Sequence, residues 1–276
     1  MGTIEQEITL EQLKKIELDI LIELHDICVA QNLNYSLGGG TLLGAIRHNG
    51  FIPWDDDVDV MMPRPDYVKF IDYCKTHKTS FKIKCFETDK NYVDLSAKIY
   101  NPKTVIIDDN IAGNNDSIGV YIDLFVIDGL GNDYKSALKA FRATTFKREL
   151  LVAAQWKKFF RSKTRPWYYE PIRFVFFILS RFVNKQKTFE KIERKYKNID
   201  FYSVNYVAAV GGAYREREIN ERRVYTDLID VDFEGNRFKA IAAYDEYLKH
   251  NYGDYMQLPP IEKRVSHHTF SAHYID

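Results

Sequence analysis

Residues 54–60 read Trp-Asp-Asp-Asp-Val-Asp-Val, and no other stretch narrows the fold of this chain as sharply. Four carboxylates fall within five residues, after which the chain turns apolar through Val60, Met61 and Met62 until Pro63 and Pro65 stop it. Like charges this close repel, and burying them is costly unless a cation or a hydrogen-bond network compensates. The apolar residues read as a strand with Val58 and Val60 in the core. Residues i and i+2 of a strand share a face, so Asp57 and Asp59 project together, with backbones about 6.6 Å apart. Paired carboxylates at that spacing suit a divalent cation. Mg²⁺ takes oxygen ligands at about 2.0–2.1 Å and leaves positions for substrate phosphate. Two such ions about 3.5–4 Å apart form the clamp of phosphoryl and nucleotidyl transfer. Asp55 and Asp56 read as a solvated loop or a Ca²⁺-type loop.

A third carboxylate on a neighbouring strand would complete such a site. Asp123 is the candidate, because it interrupts the apolar run Val120-Tyr121-Ile122 and Leu124-Phe125-Val126, where an unpaired charge is costly. Asp128, of opposite parity and next to Gly129, reads as a strand end or turn. Upstream, a short strand at residues 34–37 runs into Gly38, Gly39 and Gly40, and Thr41 opens a short helix. Backbone N–H groups and a helix dipole at such a junction suit a phosphate. Arg47, Lys98, Lys263 and Arg264 are candidates to hold phosphate oxygens, while His267 and His268 have no assigned role. Trp54 reads as core in preference to a base-stacking platform.

Around these motifs the chain reads as one globular protein of 276 residues with balanced charge, 39 basic against 39 acidic residues, so partners must be argued from local asymmetry. Leu13, Ile16, Ile20, Leu24 and Ile27 predict a first helix, opened by a capping box at Thr9 and Gln12. Strands are expected at 81–86, 96–100, 104–107, 119–129 and 206–210, and helices at 66–74 and 238–250. Cys28, Cys74 and Cys85 lack C-x-x-C spacing, which argues against a disulfide framework or structural zinc and for a reduced, cytoplasmic compartment. The acidic, polar N-terminus is no secretory signal, and Gln6 breaks the myristoylation pattern.

Between residues 157 and 187 nine Lys or Arg stand against one acid, Glu170, around the apolar run at 174–179. That run is far short of the roughly 20 residues a membrane span needs. It reads either as a helical insertion packed on the core or as an interfacial segment meeting anionic lipid. The rest of the chain has no basic face or motif for nucleic acid.

Residues 37–60, Leu-Gly-Gly-Gly-Thr-Leu-Leu-Gly-Ala-Ile-Arg-His-Asn-Gly-Phe-Ile-Pro-Trp-Asp-Asp-Asp-Val-Asp-Val, resemble the signature of the LicD family, nucleotidyltransferase-fold proteins related to fukutin and fukutin-related protein. Phe233-Glu234-Gly235, the tyrosine-rich stretches at 244–248 and 252–256, and Pro259-Pro260 onward to His268 are similar to the family's C-terminal pattern. The resemblance implies an α/β (α+β) fold, a nucleotidyltransferase-like mixed sheet flanked by helices. The catalytic core would occupy residues 1–134, the basic and aromatic helical insertion 135–200, and a part completing the substrate site 201–276. It implies transfer of a phospho-alcohol, phosphocholine from CDP-choline being the best-known case, to a sugar hydroxyl of a lipid-linked glycan such as teichoic acid, lipopolysaccharide or capsule. It places the metal-binding pair on Asp57 and Asp59, the third carboxylate on Asp123 and the glycine element on Gly38, Gly39 and Gly40, with Mg²⁺ or Mn²⁺ as the ion. The enzyme would be cytoplasmic, at the inner face of the membrane. Transfer of ribitol, glycerol or ethanolamine phosphate, a nucleotidyltransferase releasing pyrophosphate, and a non-enzymatic Ca²⁺-binding module are the competing readings.

Overall fold

The computed structural model describes residues 4–108, 110, 118–162, 166–264 and 270–275, the side chains of residues 5 and 263 excepted. Strand β1 (Ile4–Glu7) leads to helix α1 (Leu10–Ala30), whose stripe of Leu13, Ile16, Ile20, Leu24 and Ile27 is buried. The capping box forms: Gln12 N–H donates to Thr9 Oγ1 and Thr9 N–H to Gln12 Oε1, at 3.3 and 2.9 Å. The short strand β2 (Ser36–Leu37) passes through Gly38 directly into α2 (Gly39–His48). An extended loop carries residues 55–58 into β3 (Asp59–Pro63), and α3 (Arg64–Thr76) follows at once. Then come β4 (Lys82–Lys84), β5 (Ser96–Tyr100), β6 (Thr104–Ile107) and the long β7 (Tyr121–Gly131).

Helices α4 (Tyr134–Ala154), α5 (Glu170–Ser180) and α6 (Lys185–Lys197) precede β8 (Tyr206–Ala209) and β9 (Ile219–Glu221). The hairpin β10 (Leu228–Phe233) and β11 (Asn236–Ile241), helix α7 (Tyr244–Tyr252) and β12 (Ser271–Ile275) close the chain.

β7 is the spine of a seven-stranded mixed sheet. β3 pairs with it in parallel, β5 and β8 antiparallel, and β2, β4 and β9 extend the sheet outward. Ile122, Leu124 and Val126 of β7 and Val58, Val60 and Met62 beside them are buried in the main core, so Asp59 and Asp123 belong to the opposite face. β1, β12 and β6 form a separate three-stranded sheet near the chain ends.

Two expectations change here. Residues 238–241 are strand, not helix: Phe238 and Ala240 alternate into the core, and Glu234 and Gly235, both at positive φ, make the two-residue turn of a hairpin. Asp128 is no turn residue. It is buried within β7 and accepts two hydrogen bonds from the Arg64 guanidinium, both at 2.7 Å, while Glu193 of α6 forms an ion pair with the same guanidinium at 2.9 Å. Within the stretch from 135 to 200, α4 and α6 share a second apolar cluster with β7 and β8 through Phe141, Phe189, Ile192, Leu130 and Ala208.

Candidate active site

The parallel register of β3 and β7 sets Asp59 beside Asp123, and antiparallel β5 sets Lys98 on the other side of Asp123. The three form one row across three strands. Lys98 Nζ lies 3.0 and 3.2 Å from the Asp123 oxygens, and Ser96 Oγ donates to the same carboxylate at 2.9 Å. The ammonium also sits 3.6 Å from the centre of the Tyr121 ring. Burial opposes its charge, yet Asp123, with Tyr121 and Asp94, holds Lys98 above the ordinary lysine range. For Asp59 the balance is reversed. Burial, then Asp57, Asp123 and Asp55, push its carboxyl well above the usual range, and only Lys98 pulls it down.

Thr41 and the glycines explain how so much negative charge is held. Thr41 Oγ1 accepts from the Asp59 N–H at 2.8 Å, and Gly38 N–H donates to the Asp59 carbonyl at 2.8 Å. At Gly39, where φ is +45°, a Cβ would strike Asp59 Oδ2. At Gly40 it would lie 2.6 Å from Asp55 Oδ2. The glycines therefore let the chain's own carboxylates lie against the first turn of α2, where its dipole favours negative charge.

These groups open onto a cavity of about 640 Å³, within the usual size of a small-molecule site. Asp55, Asp57, Asp59, Gly39, Gly40, Arg47 and Trp54 line it together with Tyr214, Tyr247, Tyr252, Tyr255 and Glu218. Burial pushes the Tyr247 phenol up, against a smaller opposite pull from the Gly39 backbone. Tyr214 and Tyr252 share a 2.6 Å hydroxyl hydrogen bond, with their rings edge to face at 5.2 Å. Glu218 accepts from the Tyr214 N–H at 3.0 Å, and burial pushes its carboxyl up to about 7.

The expected site residues separate into groups. Arg47 reaches the cavity, anchored by donating to the Tyr255 carbonyl at 2.7 Å. Arg264 lies 5.4 Å from the Trp54 ring and donates to the Pro259 carbonyl. Trp54 is half-buried: it packs against the main core, as its sequence context suggests, and also lines the cavity wall. Asp123 and Lys98 are not among the residues lining the cavity and are bound to each other. Gly38 packs against Met61, and Thr41 is buried under Asp59, so neither lines the cavity. The Lys263 side chain, His267 and His268 lie outside the described residues. Asp55 and Asp56 are not a solvated loop: the first lines the cavity and the second is buried.

Among the described residues no three His, Cys, Asp or Glu side chains converge as a preformed metal site. The donor set nonetheless fits a hard cation. It is all oxygen, and the mutual repulsion that raises Asp59 is what a divalent ion would relieve.

A family model described as LicD/FKTN/FKRP, nucleotidyltransferase domain, matches residues 32–151, the span holding the glycines, the acidic run and β7. The lipopolysaccharide cholinephosphotransferase LicD of Haemophilus influenzae is 31% identical over 276 residues, covering 98% of this chain and all of that protein. The chain belongs to the LicD family. It is accordingly a phosphotransferase. Two uncharacterized proteins match shorter stretches: one from Rickettsia typhi, 39% identical over 51 residues (18% of this chain, 16% of that protein), and one from Rickettsia prowazekii, 35% identical over 67 residues (21% and 25%).

Several residues of this LicD-family site escape a sequence reading. Glu17 is buried on α1, with Oε2 unpartnered, and burial followed by Asp57 and Asp56 raises its carboxyl. Its signal is a charge set among Leu13, Ile20 and Leu24 at helical spacing. Glu218 and Tyr214 carry no signal. Tyr247, Tyr252 and Tyr255 stand in the C-terminal pattern, but without an assigned role.

Proposed function

We propose that this chain moves phosphocholine from CDP-choline to a sugar hydroxyl of a glycan. The observation that carries this reading is the composition of one cavity: a carboxylate run beside a tyrosine wall and a buried acid. Aromatic faces with a nearby carboxylate are what a quaternary ammonium binds, and Tyr214, Tyr247, Tyr252 and Glu218 supply both. The similarity over its whole length to a protein named as a lipopolysaccharide cholinephosphotransferase, from Haemophilus influenzae, supports phosphocholine as the transferred group.

Asp57 and Asp59, with Asp123 as the third carboxylate, would hold Mg²⁺ or Mn²⁺, which when bound neutralises the donor pyrophosphate. Arg47 would add positive charge from the cavity wall. Trp54 offers a face for the cytosine. The glycan hydroxyl attacks the phosphorus that carries choline, the bond from that phosphorus to the oxygen of CMP breaks, and the hydroxyl proton passes to a carboxylate of the acidic run. Positioning and charge neutralisation would supply most of the rate.

The test is product analysis with CDP-choline, a glycan acceptor and Mg²⁺. CMP and a choline-bearing glycan are expected. Pyrophosphate release from CTP, with no use of CDP-choline, would replace this reading with nucleotidyl transfer. Asp59→Asn should lower turnover by about 10²-fold or more while the melting temperature holds or rises, because it removes a repelled buried charge. Full activity in that variant would remove the acidic run from the mechanism.

A further inference from the structure

Helix α5 is amphipathic in the wrong sense for a core helix. Its buried residues are Arg173 and Ser180, whereas Ile172, Phe174, Val175, Ile178 and Leu179 are exposed. Arg173 Nη1 points inward, donating to Glu170 Oε2 at 2.8 Å and the Phe160 carbonyl at 2.9 Å, with its guanidinium over the Trp156 ring at 4.7 Å. Of residues 174–179, Phe176 and Phe177 turn inward against Phe146, Trp156 and Phe159 while the other four stay exposed, so the packing of this run on the protein, one of the two expectations for this stretch, holds only in part. Ile172, Val175, Leu179 and Phe182 recur at steps of three and four and make one outward stripe. Phe182 is 85% exposed, and Trp167, in the turn that leads into the helix, is 70% exposed beside exposed Tyr168 and Tyr169. A soluble protein rarely leaves so continuous an apolar face uncovered.

We propose that this face docks on an anionic lipid bilayer, with α5 lying in the headgroup layer. Lys158, Arg161, Lys185 and Lys187 flank it in sequence and are exposed. Glu170, the acid of the stretch, is turned inward to Arg173 and the Ser162 N–H. Cations around an apolar face, with Trp and Tyr at its margin, fit a negatively charged membrane surface. A second copy of the chain would bring the same cations face to face. With 11 residues α5 is about 16 Å long, so it can lie in an interface but not cross it, and among the described residues no helix is long and apolar enough to span. The placement also serves the site. α4, packed against α5, lines a second cavity of about 240 Å³ through Phe141, Arg148 and Leu151, and Gly212 and Ala213 line both cavities. A membrane-held acceptor would meet the enzyme on that side. The inference does not depend on the identity of the donor.

Flotation of the full chain with vesicles of phosphatidylcholine, with and without phosphatidylglycerol, tests it. Binding is expected only with the anionic lipid and should fall as salt rises. Val175→Asp with Phe182→Asp, and separately Lys185→Glu with Lys187→Glu, should each lower binding on the order of tenfold while circular dichroism and soluble-substrate turnover stay unchanged. No flotation on anionic vesicles at low salt overturns the proposal. So does self-association in sedimentation that Val175→Asp and Phe182→Asp abolish, because the face would then belong to a dimer.

Discussion

Lys98 shows how much one side chain settles at this site. It compensates Asp123 directly and Asp59 at longer range, within a cluster where Asp55 and Asp57 add only repulsion. An ion pair this deep gives little net stability over an apolar pair, but breaking it leaves a carboxylate uncompensated. Lys98→Met should therefore destabilise by about 3–5 kcal/mol in urea unfolding. Added Mg²⁺ should restore part of the loss if the acidic run takes a cation. A Lys98→Met variant as stable as the parent would mean that Ser96 and water satisfy Asp123 unaided.

At the scale of elements, the connection that matters most joins α3, β7 and α6. Arg64 at the first turn of α3 is shared by Asp128 and Glu193, and burial alone would have lowered its pKa had these carboxylates not raised it. This triad ties the α4–α6 stretch to the strand that carries Asp123. Arg64→Ala strands one buried and one half-buried acid and should lower stability by roughly 3–5 kcal/mol, with turnover at low temperature nearly retained. A mild effect, below about 1 kcal/mol, would show that α6 is held by its apolar contacts at Phe189 and Ile192 alone.

For the molecule as a whole, Glu218 would link stability to donor binding if the proposed function holds. Its carboxyl is raised from an ordinary 4.5 to about 7 by burial. The folded state thus binds this proton more tightly than the unfolded chain, so the stabilisation is complete below 4.5 and is lost as pH rises through about 7. A quaternary ammonium needs the opposite form, the carboxylate. The KM for CDP-choline should fall as pH rises through about 7, with no such step in Glu218→Gln, which should also be the more stable protein above that pH. An unchanged pH profile in Glu218→Gln would detach this residue from the choline group. What the sequence alone determined is local: the glycine turn, the strand carrying Asp59, the apolar strand interrupted by Asp123 and the capped first helix, because periodicity and charge within a few residues specify which face a side chain takes. Tertiary structure decided the rest. The pairing of Lys98 with Asp123 depends on the register of two strands more than 20 residues apart. The tyrosine wall and Glu218 reach the acidic run from more than 150 residues away. The outward turn of α5 could not be read from its composition, because an apolar stripe specifies that something covers it, whereas the packing of Arg173 decides which side faces the protein.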